Sequence, residues 1–122
     1  MQTTSANQTL SIECSDWAEN FAKEALANGQ VPQFYAFKPD RKKNSGAEYL
    51  GKFTDGSGNI FQPKPMWLWH VAVEMNGLLH DEIHPNGVII EKYLAYFPYI
   101  NYISVTQHKD LESAIQEARS GS

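Results

Sequence analysis

One thiol, Cys14, is all the cysteine the chain has. A lone cysteine excludes an internal disulfide and a multi-thiolate zinc site, so redox compartment is not legible from it. Positive charge is also scarce. Ten Lys and Arg stand against fourteen Asp and Glu, for a net charge of −4 and a pI near 5.5. A nucleic-acid partner ordinarily needs a basic face, and none is expected. The one basic cluster, Arg41-Lys42-Lys43, lies between Pro39 and Gly46 and reads as a solvated loop. No apolar run approaches the roughly 20 residues that span a bilayer, so membrane insertion is not expected. Met1 to Gln8 is polar and lacks the apolar centre of a signal peptide. There is no repeat and no long linker.

What remains is ordinary for a globular chain: 122 residues, 42% hydrophobic and 20% charged. A single domain over 1–122 is expected, with 1–8 and 120–122 as flexible ends. From Cys14 to about Ala27, apolar residues recur at Cys14, Trp17, Ala18, Phe21, Ala22, Ala25 and Leu26. That is the spacing of one helical face, and Asn28-Gly29 is a helix stop. Val31 to Phe37 reads as a strand. Pro39 to Pro65 is irregular, with turn-like residues at Thr54 to Asn59 and short strands near Tyr49 to Phe53 and Ile60 to Phe61. Met66 to Met75 and Leu78 to Glu82 read as strands of a hairpin. Asn76-Gly77 is its turn, because both central residues of a type I′ turn need positive φ. A short helix over Ile90 to Phe97, a strand over Ile100 to Thr106 and a helix over Asp110 to Arg119 complete the chain. Asp110 caps that last helix, and Leu111, Ala114, Ile115 and Ala118 face inward. This order predicts an α+β domain, an N-terminal helix carrying Cys14 packed on a small antiparallel sheet with peripheral helices.

The hairpin places chemistry. Pairing outward from Asn76-Gly77 sets Met75 opposite Leu78, Glu74 opposite Leu79, Val73 opposite His80 and Ala72 opposite Asp81. Side chains alternate faces, so His70, Ala72 and Glu74 share a face with Leu79, Asp81 and Ile83. His70 is then diagonal to Asp81, roughly 7–8 Å away at the backbone, within reach of an imidazole and a carboxylate. A carboxylate that fixes an imidazole and an imidazole that takes a proton from a nucleophile are two parts of a catalytic triad. Cys14, at the expected start of a helix, would have its thiolate favoured by the helix dipole and by an adjacent His⁺. Each residue has an alternative: Cys14 as a small buried hydrophobe, His70 as a satisfied core residue, Asp81 as an acceptor for turn N–H groups. Trp67, Trp69, Val71 and Val73 alternate on the opposite face as a core stripe. Tyr93, Tyr96, Phe97, Tyr99 and Tyr102 form an aromatic cluster, read as core plus rim with a share in a substrate groove. His80-Asp81-Glu82-Ile83-His84 has the i, i+4 histidines of a zinc-protease helix, but Gly77 and Pro85 leave no room for that helix. No metal and no cofactor is expected, and His84 is assigned to the turn around Pro85.

Three segments resemble the papain-fold toxin domains at the C-termini of bacterial polymorphic toxins, most closely the second papain-fold toxin family. They are Cys14-Ser15-Asp16-Trp17-Ala18 leading to Asn28-Gly29; Trp69-His70-Val71-Ala72-Val73 followed by Asn76-Gly77; and His80-Asp81-Glu82-Ile83-His84-Pro85-Asn86-Gly87-Val88 followed by Lys92-Tyr93-Leu94. Trp17, His80 and Glu82 depart from the family's pattern. The resemblance implies a papain-like cysteine-hydrolase fold with Cys14 as nucleophile, His70 as base and Asp81 as orienting acid. It implies a protein glutamine deamidase or protease acting through a thioester. Transglutaminase or acyltransferase chemistry on the same triad, or a catalytically silent protein-binding domain, are the alternatives. The oxyanion hole would take the Cys14 backbone N–H, with Gln8 as a second donor. By the same resemblance the partners are a protein substrate in a target cell and a cognate immunity protein. The chain would be bacterial, secreted or delivered as part of a larger toxin, and otherwise cytoplasmic.

Overall fold

Small residues at helical spacing build the first element, α1 (Thr3–Ala27), in the computed structural model. Its end is the stop that Asn28-Gly29 signals. Gly29 takes φ +78°, Gln30 N–H donates to Ala25 O at 2.9 Å and Gly29 N–H to Leu26 O at 3.0 Å, the paired bonds of a Schellman cap. The strands are β1 (Gln33–Pro39), β2 (Phe53–Thr54), β3 (Ile60–Phe61), β4 (His70–Met75), β5 (Leu78–His80), β6 (Val88–Ile89) and β7 (Ile103–His108). Helices α2 (Ile90–Ala95) and α3 (Leu111–Arg119) complete the set, with a 3₁₀ turn at Ile100–Tyr102. The structure describes residues 3–40, 42, 50, 53–54, 59–61, 68–97 and 100–120, and of these the side chains of all but 3–14, 53, 54 and 61. The expectations for Arg41 and Lys43, most of the Thr54–Asn59 turn, Trp67, Tyr99 and the side chains of Gln8 and Cys14 lie outside the described residues.

The main sheet has the order β6-β5-β4-β1-β7, every neighbouring pair antiparallel. The β4–β5 hairpin has the register read from the sequence, with Val73 opposite His80, Glu74 opposite Leu79 and Met75 opposite Leu78. Its turn residues Asn76 (φ +55°) and Gly77 (φ +82°) both occupy the left-handed region, as a type I′ turn demands. The two faces of the sheet carry separate cores. Val71, Val73 and Met75 of β4 and Phe34 and Ala36 of β1 face α1 and α3, meeting Ala18, Ala22, Ala25, Ala114 and Ala118. Alanines on both helices let them sit close to the sheet. The α3 face is the one expected, and Asp110 caps it by accepting Ser113 N–H at 2.7 Å. The opposite face holds Phe37, Ala72, Leu79 and Ile103 under Tyr93 and Phe97, with Tyr93 delivered by α2.

Three differences from the sequence reading bear on the site. Helix α1 begins at Thr3, not at Cys14. Strand β5 ends at His80 rather than Glu82, because Asp81 to Gly87 turns back, and Val88–Ile89 then adds the edge strand β6 that the sequence does not signal. Ile100–Tyr102 is a 3₁₀ turn ahead of β7. What stands as fold is a small α+β domain with a five-stranded antiparallel sheet and three helices.

Candidate active site

His70 opens β4, and Asp81 is the first residue past β5. Both side chains fall on the α2 face of the sheet, as the hairpin alternation requires. His70 is fully buried and Asp81 is 2% exposed. The imidazole Nε2 lies 3.3 Å from Asp81 Oδ2, so the diagonal pairing closes into contact. Tyr93, 1% exposed, inserts its hydroxyl at the same point. It donates to Asp81 Oδ2 at 2.5 Å and lies 2.9 Å from His70 Nε2. The ring of Phe37 backs His70 and Tyr93, with centroids 5.7 Å from each.

The other carboxylate oxygen organises the turn. Asp81 Oδ1 accepts the backbone N–H of Ile83 at 2.9 Å and of His84 at 2.7 Å. It also accepts Nδ1–H of His84 at 3.1 Å. His84 in turn stacks on Tyr96, centroids 5.2 Å apart, and meets Tyr93 edge-on. Asp81 therefore lies between two imidazoles. Burial alone would raise its pKa, but hydrogen bonds from His70 and His84, and the charge those rings carry when protonated, outweigh that and hold it well below the ordinary carboxylate range. The group is an ionised carboxylate in a dry setting, the state an orienting acid needs. Two readings of Asp81 thus hold together: it contacts the imidazole with one oxygen and closes the turn with the other.

His80 belongs to the other face. Its Nδ1–H donates to Pro85 O at 3.0 Å, and its ring lies 4.6 Å from that of Phe21 on α1. Residues 80–84 contain no helix, so the zinc-protease geometry of His80 and His84 does not form. Among the described residues, one group of three has metal-ligand chemistry. His70, Asp81 and Glu82 each offer an atom within 4.8 Å of the others. Both Asp81 oxygens already accept hydrogen bonds there, so an ion would first have to displace the Tyr93 hydroxyl or the imidazole.

Cys14 stands elsewhere than expected. It lies about three turns inside α1, so its backbone N–H belongs to the helical ladder and is not available to an oxyanion. The helix dipole, which acts within the first turn, does not reach it. Gln8 lies within the same helix. Helix α1 covers the Val71–Val73 face, whereas His70 points to the other. Phe21 packs against His80 with ring centroids 4.6 Å apart, and His80 pairs with Val73, which seats the middle of α1 over the hairpin. Among the described residues β5 pairs only with Val73–Met75 of β4, and the 81–84 turn lies beyond its end on the His70 side.

Tyr93 and His84 are the members of the site that sequence reasoning does not place there. A tyrosine at the inward position of a short helix, where leucine or phenylalanine would fill the same space, is the available signal. For His84 it is the three-residue step from Asp81, the spacing at which an aspartate closes a turn. Comparisons with protein-family models, with curated proteins and with solved structures found no match to this chain.

Proposed function

We propose that this chain is a papain-like cysteine-dependent amide hydrolase, a protein glutamine deamidase or protease, serving as a bacterial toxin or effector domain. One observation carries the proposal. A buried Asp81, its carboxyl held well below the ordinary carboxylate range, contacts the His70 imidazole at the start of β4. The resemblance of the three sequence segments supplies the substrate class.

In the proposed reaction His70 takes the Cys14 proton and the sulfur attacks the amide carbonyl carbon. A C–S bond forms, and the carbonyl π electrons move to oxygen. His70 returns the proton to the leaving nitrogen, the C–N bond breaks, and a thioester remains. Water attacks the thioester, giving up its proton to His70, and the carboxylic acid leaves as the thiol is regenerated. An amine in place of water would give transglutamination. A cognate immunity protein and delivery within a larger toxin belong to the same proposal.

A second reading is a silent protein-binding domain of the same architecture. It is favoured by the place of Cys14 in the interior of a continuous helix on the face opposite His70. Iodoacetamide labelling across pH separates the two. Under the hydrolase reading Cys14 labels well below the ordinary thiol pKa near 8.5. Target-cell proteins exposed to wild type then gain about one mass unit per site, as amide becomes acid, or are cleaved, and Cys14→Ala abolishes both. Labelling with an ordinary thiol profile, together with equal effects of wild type and Cys14→Ala on a bacterial host, would refute it.

A further inference from the structure

The Tyr93 hydroxyl sits between the imidazole and the carboxylate, and its single proton decides what each can do. A phenol has one O–H to donate, and an ionised carboxylate only accepts. Asp81 is ionised and lies 2.5 Å away, so the phenol proton points at Oδ2. The phenol oxygen then faces His70 Nε2 at 2.9 Å with lone pairs only. Nε2 must therefore carry the proton and donate it. The reverse tautomer would set an imidazole lone pair against both the phenol oxygen and Asp81 Oδ2, 3.3 Å away. The direct imidazole–carboxylate contact is the longer of the two contacts to Nε2. The carboxylate acts on the base chiefly through the phenol.

We propose that Tyr93 is a positioning residue that fixes His70 in the Nε2–H tautomer and so makes Nδ1 the basic nitrogen. The tautomer assignment stands apart from the hydrolase reading; the consequence for Cys14 rests on it. Among the described residues the titratable groups facing this point are Asp81, Tyr93 and, within the same cluster, Glu82, with His84 beyond the carboxylate. Phe37 packs against the imidazole and phenol rings. Those rings are held by the core whether or not the hydroxyl is present, so Tyr93→Phe removes one oxygen and little packing.

The test is ¹⁵N-edited NMR of the histidine side chains at neutral pH, with the His70 signals identified by their loss in His70→Asn. Wild type is expected to show protonated Nε2 and unprotonated Nδ1 at His70, a measurement that needs no active-site variant. In Tyr93→Phe the Nε2–H proton is expected to move upfield and exchange faster with water. The rate of Cys14 alkylation by iodoacetamide at pH 7 should fall about tenfold, the size of one lost hydrogen bond to a charged group. A wild-type His70 protonated at Nδ1 would overturn the proposal. So would a Tyr93→Phe protein whose Nε2–H resonance is unmoved. If the resonance moves while alkylation does not change, Tyr93 positions His70 as proposed and the hydrolase reading fails alone.

Discussion

Replacing Asp81 with Asn keeps shape and removes charge, and the surrounding hydrogen bonds dictate how the amide must sit. The amide oxygen takes the Oδ1 place, where the N–H groups of Ile83 and His84 already bind. The amide NH₂ is thereby turned toward Tyr93 and His70. Two donors, the phenol O–H and imidazole Nε2–H, then face a third. Hydrogen bonds to a charged group are worth about 1.5–3 kcal/mol each, so losing two costs roughly 3–6 kcal/mol. Burying a neutral amide instead of an ion returns part of that, and a net loss of about 2–3 kcal/mol at pH 7 is expected. The pH dependence has a definite sign. The folded Asp81 carboxyl lies well below the unfolded value near 3.9. Its contribution is therefore fully present above about pH 4 and is lost as pH falls toward the folded value. Urea denaturation of both proteins from pH 7 downward measures this. The stability gap should be widest at neutral pH and close below about pH 4. A gap that stays constant with pH, or no gap at pH 7, would refute the reasoning. Under the hydrolase proposal, activity should suffer more than stability. His70 would relieve the clash by moving its proton to Nδ1, the nitrogen that proposal needs as base, and in Ser-His-Asp hydrolases the corresponding exchange lowers kcat about 10⁴-fold.

Two further substitutions probe the frame around the site. Gly87 has φ +90°, and a Cβ there would lie 2.6 Å from His80 Cε1 and 3.0 Å from Leu78 Cβ. His80 is pinned by Pro85 O and Phe21, so Gly87→Ala should cost about 2–4 kcal/mol, from left-handed backbone strain plus overpacking. A change below about 0.5 kcal/mol in urea titration would show that the turn gives way freely. Ala18 is fully buried between α1 and the sheet. Ala18→Leu should lower stability by about 1–3 kcal/mol with an unchanged denaturant slope, whereas an unchanged midpoint would mean that α1 is not seated as described.

The parts of the site legible in the sequence are those governed by period two and by one turn. Asn76-Gly77 fixes the hairpin register, alternation puts His70 and Asp81 on one face, and both arise from local backbone geometry. Tyr93 is visible there only as one of a cluster of tyrosines. Its place depends on how α2 crosses the sheet after the 81–87 turn, which is a matter of tertiary packing. The β6 strand escapes a sequence reading because two residues carry no periodicity. Helix α1 reads as starting at Cys14 because the apolar stripe begins there. The helix itself continues back through polar residues to Thr3, and an apolar stripe marks where a helix is buried, not where it starts.

That last distinction changes the chemistry asked of Cys14. At a helix start, a thiol draws on unsatisfied N–H groups and the dipole, and its own N–H can hold an oxyanion. Three turns inside α1, none of these is available, so under the hydrolase proposal the thiolate would have to draw on His70. An imidazole can support a thiolate only if its basic nitrogen faces the sulfur and its other nitrogen is held. The carboxylate and phenol on Nε2 meet the second condition, so under that proposal Asp81 and Tyr93 carry more than they would in a site where the helix shares the work. Glu82, on the 81–84 turn, has a carboxylate oxygen within 4.8 Å of the His70 and Asp81 ligand atoms. Under the hydrolase proposal, a sulfur brought to His70 therefore meets a second carboxylate beside the imidazole, while the helix contributes nothing to its thiolate.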